Sequence, residues 1–174
     1  MKIGNDVIIH KDVFIKRSNS AIIGNRVAID KGFYCTSRLE IGDYVHISPY
    51  VTSIGGKGKS KFFLEGFNNI MVGARIICGS DRFDASGLPG ALIPDELKGR
   101  EIIQDVIVEK FANIGTNSIV LPGARLRKGV LLAAGSLLIG DTVEWGVYKG
   151  NPAKLVKIID EKIIIEKARK LGYE

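Results

Sequence analysis

Two short stretches carry side chains that could move a proton. The first is 77-ICGSDRFDASGLPGALIP-94, where Asp81, Arg82 and Asp84 crowd ahead of a loop punctuated by glycine and proline. Asp81 there either handles a proton or caps the turn that opens the loop. Carboxylates, with a reference pKa of about 3.9, are poor bases at neutral pH unless burial raises them. The second stretch is 46-HISPY-50. Imidazole, with a reference pKa of about 6.5, is the conventional general base near neutrality. His46 is therefore the second catalytic candidate, with Ser48 and Tyr50 beside it as candidates for holding an acceptor. His10, in the opening residues, is the weaker of the two histidines. Two histidines fall short of the three protein ligands a catalytic zinc usually takes, and Cys35 and Cys78 lack metal-type spacing, so no metal is expected. No glycine-rich phosphate loop or dinucleotide fingerprint occurs.

These residues need elements to position them, and the chain's totals bound what those are. At 174 residues it fits one domain with a small appendage. Hydrophobic residues make up 45% and charged residues 25%, which argues for a packed core rather than disorder. The net charge of +6 favours an anionic partner. Nucleic acid is not expected, because the basic residues are scattered and no aromatic-rich basic patch accompanies them. No apolar run reaches membrane-spanning length, so no membrane insertion is expected. Two cysteines without a pattern suit reduced thiols and a cytoplasmic setting.

An internal repeat sets the architecture. Aliphatic residues, with Cys35 and Ser53 as weaker members, recur every six positions: Ile3, Ile9, Ile15; Ile23, Ile29, Cys35, Ile41, Ile47, Ser53; Leu64, Ile70, Ile76; and Val108, Ile114, Val120, Leu126, Leu132, Leu138. Small or branched residues fill the position four later, as at Val27, Val45, Ala74 and Ser118. A period of six matches neither a helix nor a long alternating strand. It suits short strands joined by turns, three to a coil, stacked as a parallel β-solenoid whose coils bury one continuous core. The fold expected is mainly β. Two excursions interrupt the repeat, residues 54–63 and a long loop at 82–107. Loops of that length in a compact domain are usually functional. The repeat is expected to stop after residue 143. The segment 158-IIDEKIIIEKARKLG-172 is charged, amphipathic and free of proline, which predicts a C-terminal α-helix over 158–174, after a β domain over 1–157.

The hexads, with 132-LAAGSLLIGD-141 and 149-KGNPAKLVK-157, resemble the hexapeptide-repeat acyltransferases, in particular their sugar and xenobiotic acetyltransferase branch. The resemblance covers about residues 3–157. It implies a left-handed parallel β-helix, although right-handed crossovers are the general rule. It also implies a homotrimer, acetyl-CoA as donor and active sites in the clefts between subunits. Such enzymes often begin a segment after one coil with Asn-His-Arg, a hydrophobic residue and Asp. Here the corresponding residues are Ser80, Asp81, Arg82, Phe83 and Asp84, so aspartate stands where the family's histidine does. By the same resemblance Ser48 aligns with a substrate-binding asparagine, Gly115 and Ala134 line the pantetheine groove, and Lys154, with Lys157 behind it, meets a CoA phosphate. β-Helix enzymes resembling the γ-class carbonic anhydrases need three histidines, which this chain lacks.

The replacement of histidine shapes the expected chemistry. A hydroxyl acceptor demands a base, whereas a neutral amine attacks a thioester through its own lone pair. Asp81 then orients the amine and takes its proton, with Arg82 and Asp84 as neighbouring substrate-binding candidates. His46 and Asp81 share one hexad phase, outward at different coil corners, so in a trimer they could meet across an interface as imidazole and orienting carboxylate. The expected activity is acetyl transfer from acetyl-CoA to a sugar or nucleotide-linked amino sugar, for surface polysaccharide by family resemblance. A non-enzymatic β-helix scaffold and a serine-type O-acetyltransferase are the alternatives.

Overall fold

A computed structural model of the chain describes residues 1–17, 20–55 and 57–173. The hexad columns are the columns of its core. Ile3, Ile23, Ile41, Leu64, Val108 and Leu126 lie in register on a first face. Ile9, Ile29, Ile47, Ile70, Ile114 and Leu132 do so on a second. Ile15, Cys35, Ser53, Ile76, Val120 and Leu138 form the third. All these pairings are parallel, and the three faces are sheets of six, eight and six strands. From Ile23 onward the columns are buried. Each isoleucine or leucine fully withdrawn from water contributes about 1.5–3 kcal/mol. Successive strand residues alternate sides, so the neighbours of each inward residue point out and are available for function.

The two weak hexad members are accommodated by partners. Ser53 Oγ lies 2.6 Å from Ser37 Oγ, and Cys35 Sγ lies 3.4 Å from the same hydroxyl. The small polar groups thus satisfy one another inside the prism, as buried polar groups must.

The corner between the first and second faces is built from Asp6, Arg26, Tyr44, Phe67, Phe111, Gly129 and Trp145, each three residues before an inward position and each with φ between 53° and 70°. Left-handed backbone is unfavourable for bulky residues. Here aromatic stacking offsets the cost: Tyr44 and Phe67 stack at 4.8 Å, and Phe67 meets Phe111 at 5.0 Å. Trp145 reaches back to Phe111 across Gly129, where a Cβ would overlap the indole.

The excursions differ in extent from the expected ones. Strands Thr52–Ile54 and Lys61–Gly66 belong to the coils, so the first excursion is confined to 55–60. Val106–Val108 likewise starts the next coil, and the base of the long loop is an antiparallel hairpin of Gly79–Asp81 with Glu101–Ile103. Phe62 pairs with Val106 and Leu64 with Val108, so the ladder runs on beneath the loop without a missing rung.

The six-residue spacing does stop after residue 143, but the second face goes on, with Tyr148 its next inward residue. Strand Gly146–Gly150 adds to the second face, with Tyr148 opposite Leu132, and Ala153–Ile158 folds back antiparallel as its last strand. That strand keeps Ile158 extended, so the C-terminal helix spans Lys162–Arg169 instead of starting at 158. The helix buries Ala168 in a small cluster with Phe111 and Trp145. Beyond it, Tyr173 sets its ring edge-on to Tyr44 and Phe67 and donates its hydroxyl to Asp43 Oδ2 at 2.6 Å.

Candidate functional site

Three sets of outward residues surround the positions singled out by sequence. The first lies on the second face. Ile47 is buried, which turns His46 outward within strand His46–Ile47; His46 therefore sits mid-face rather than at a corner. The coil below places Ala28 opposite His46 and Asp30 two residues further on. His46 Nε2 lies 2.8 Å from Asp30 Oδ2. Asp30 escaped the sequence reading, although one coil of spacing below His46 was the signal that could have found it. Ser48, in contrast, is 6% exposed, and its backbone is tied to Ile70. Tyr50 is exposed and in the left-handed region, its ring lying over Gly32, whose missing Cβ makes the room. A cleft of about 510 Å³ runs beside His46, lined by Ile8, Ala28, Arg26, Tyr44, Phe67 and Asn69 among others.

The second set is the hairpin. Asp81 pairs with Glu101 across its base, and Asp81 Oδ2 accepts the Gly90 N–H at 3.1 Å. Asp81 thus does brace the loop, over nine residues rather than at a local turn. It also lines a second cleft of about 410 Å³, with Lys57, Lys98 and Ile54. Lys57 there is 3.3 Å from Glu101, and Lys98 is 2.9 Å from Asp95. Hydrogen bonding to Asp95, more than the fields of Glu101 and Asp81, raises the Lys98 ammonium above its usual range. Arg82 and Asp84 serve the loop itself: the Arg82 N–H donates to Arg100 O, and Asp84 meets Arg100 Nη2 at 2.8 Å. Bonding to Ser86, helped by the fields of Arg100 and Arg82, holds the Asp84 carboxyl below its usual range. The clefts of His46 and Asp81 share no lining residue, so one chain does not bring the two together.

The third set lies on the later coils of the second face. A Cβ on Gly115 would stand 2.5 Å from the Ala134 nitrogen, so adjacent coils approach as closely here as glycine allows. Ala134 is exposed beside it. Lys154 and Lys157 are exposed on the closing strand, opposite Lys149 and Val147. Lys149, which the sequence reading missed, adds a third positive charge at the end of this face, and neither it nor Lys154 forms an ion pair among the described residues. Among those residues no cluster of three or more potential metal ligands is assembled.

Comparison with known proteins adds to this geometry. No family model matches the chain. It is 27% identical over 167 residues to a dTDP-4-amino-4,6-dideoxy-D-glucose acyltransferase of Escherichia coli, covering 93% of this chain and 84% of that one. A 2,3,4,5-tetrahydropyridine-2,6-dicarboxylate N-acetyltransferase of Clostridium perfringens is 41% identical over 56 residues, 32% of this chain and 24% of that enzyme. Among solved structures, AntD, an N-acyltransferase from Bacillus cereus, superposes with a TM-score of 0.89 and 29% identity over 98% of this chain and 90% of that one. That structure holds dTDP-4-amino-4,6-dideoxyglucose and coenzyme A, and a further one of AntD holds dTDP and 3-hydroxybutyryl-CoA. The coil stack is the left-handed parallel β-helix that the family resemblance implied.

Proposed function

We propose that this chain is a hexapeptide-repeat acyltransferase that uses a coenzyme A thioester and that it N-acylates a nucleotide-linked amino sugar. The observation that carries the reading is the likeness, over nearly the whole chain, to a dTDP-4-amino-4,6-dideoxy-D-glucose acyltransferase and to an N-acyltransferase whose structure holds dTDP-4-amino-4,6-dideoxyglucose and coenzyme A. Asp81 in place of histidine supports it, because an amine acceptor does not need its nucleophile deprotonated by a strong base.

In the proposed reaction both substrates bind together. The neutral amine attacks the thioester carbonyl, a C–N bond forms and the C–S bond breaks. Coenzyme A leaves as a thiolate and takes up the proton that the new ammonium releases. Asp81 accepts a hydrogen bond from the amine and relays that proton, while His46, oriented by Asp30, is a second polar group that contacts the acceptor away from the reacting amine. Gly115, Ala134, Lys154 and Lys157 hold the donor, the lysines at its phosphates. Ser48, which is buried, is the weakest of the acceptor-binding candidates, and Tyr50 the better exposed.

The working unit proposed is a homotrimer. The first face is studded with Arg38, Glu40, Lys61, Glu65, Arg125 and Arg127, as a solvent face would be. The corner between the second and third faces instead exposes Tyr50, Met71 and Val72, and the third face exposes Phe14, Tyr34 and Ile139. Packing of such faces would bring the projecting hairpin of one protomer over the second face of the next. Among the described residues no helix is long and apolar enough to cross a membrane. A role in surface-polysaccharide precursor synthesis in the cytoplasm is part of the same proposal.

The test is thiol release from acetyl-CoA and 3-hydroxybutyryl-CoA with dTDP-4-amino-4,6-dideoxyglucose as acceptor. Asp81→Asn should lower kcat/KM for the amino sugar by about 10²-fold or more, with CoA affinity unchanged. Full turnover in that variant would remove Asp81 from the chemistry, and no thiol release by the parent protein would refute the acceptor class.

A further inference from the structure

The acyltransferase reading leaves open which surface takes the large anionic half of the acceptor. We propose that the cleft on the second face, between Arg26, Tyr44, His46 and Asn69, is the subsite for the nucleoside diphosphate of the acceptor. This rests on the proposed function and deepens it.

The cleft, at about 510 Å³, lies within the range of small-ligand sites. Its long wall is one outward column, Ile8, Ala28, His46 and Asn69, taken from four successive coils. Strands lie about 4.8 Å apart, so this column spans about 14 Å, the scale of an extended nucleotide rather than of a bare sugar ring. Its chemistry changes along that length. Ile8 is 72% exposed, an aliphatic side chain on an outer face with nothing of this chain over it, and Ala28 follows. That end suits the flat face of a base. His46, fixed by Asp30, and Arg26 come next. Asn69 closes the far end, and its Oδ1 is shut off from water without a hydrogen-bond partner, an unmet demand that a donor group of a bound sugar would meet after a small rotation of the amide.

Availability of charge separates this cleft from the one beside Asp81. Lys57 and Lys98 at the hairpin are engaged by Glu101 and Asp95 at 3.3 and 2.9 Å. Arg26 has a looser ion pair, 3.7 Å to Asp6, with both side chains more than half exposed. Its guanidinium lies 5.3 Å from the Tyr44 ring, which holds it at the rim while leaving its N–H groups for an anion. Tyr44 is itself stacked on Phe67 and edged by Tyr173, so the cation stands on a braced wall.

Direction follows from the coils. Gly115, Ala134, Lys149 and Lys154 lie on the same face beyond Asn69. An acceptor laid along the column with its base at Ile8 and its sugar at Asn69 therefore points the reacting amine toward the donor groups. The reverse orientation would leave the amine at the first coil.

Calorimetry on the full chain with dTDP and, separately, with CoA as probes tests this. Arg26→Gln should weaken dTDP by about tenfold, and Ala28→Glu, which sets a carboxylate in the wall, by at least as much; CoA affinity should hold in both. Thymidine, lacking phosphates, should lose little to Arg26→Gln. Unchanged dTDP affinity in both folded variants, with the parent protein acylating a nucleotide amino sugar, would overturn this subsite and leave the acyltransferase reading intact. A parent protein that binds CoA but not dTDP, and acylates an unlinked amino sugar, would overturn the subsite together with the nucleotide-linked acceptor.

Discussion

Burial pushes the Cys78 thiol up to about 12, and it raises Cys35 too, though hydroxyls of Ser37 and Ser53 partly counter it. Neither thiol should react with a disulfide reagent at neutral pH in the native protein, and both should react after denaturation; fast native labelling would contradict this core. On the surface, Lys154→Ala should raise KM for the acyl-CoA severalfold with little change in kcat, because a phosphate contact remote from the thioester binds ground and transition states alike. An effect confined to the acceptor would show that Lys154 does not face the donor. At this scale the sequence was uneven as a guide. Asp81 was legible because it interrupts a repeat and opens a long loop. Its brace to Gly90 was not, since a loop's return path carries no periodic signal. Asp30 and Lys149 were missed for a related reason: each gains its significance from a residue on an adjoining strand, and linear spacing shows this only once the coil length is known.

Between the corner stack and the chain's end, a polar latch joins Tyr173 to Asp43. The Tyr173 hydroxyl, seconded by the Asn25 N–H, holds the Asp43 carboxyl below its usual range. A carboxylate depressed in the folded state stabilises above its unfolded pKa and loses that contribution as pH falls through the folded value. The Tyr173 phenol is raised by the same bond, so its contribution is present below the ordinary tyrosine range and lost as pH rises through the folded value. Tyr173→Phe should therefore lower thermal stability by a few degrees at pH 7, and the gap to the parent protein should close in acid. A constant gap would mean that the ring alone matters. The helix it follows illustrates a contest between local and tertiary preference. The pattern from 158 onward is helical, but Ile158 is the last residue of a strand paired with Gly146, and the Ile159 N–H donates to Trp145 O. Sheet hydrogen bonds to the closing hairpin outweigh propensity there, and the helix waits until Lys162.

For the assembled molecule, sedimentation should give about three times the 18.9 kDa chain mass. A monomer that remains fully active would remove the need for a neighbouring protomer at the site. The coil columns were legible almost residue by residue, because the inward positions recur every six residues and every coil repeats the demand. Hand of winding was not, since mirror-related stacks bury the same residues, and it came from likeness to known folds. The pairing of Phe62 with Val106 beneath the long hairpin carries a wider implication. What the scaffold needs from residues 79–103 is no more than a departure and a return at neighbouring points. Their sequence is thus free to drift, lengthen or be exchanged while the prism stays as it is. Lineages sharing this chassis can change what they modify by swapping a cassette, and the cost to stability of doing so is small.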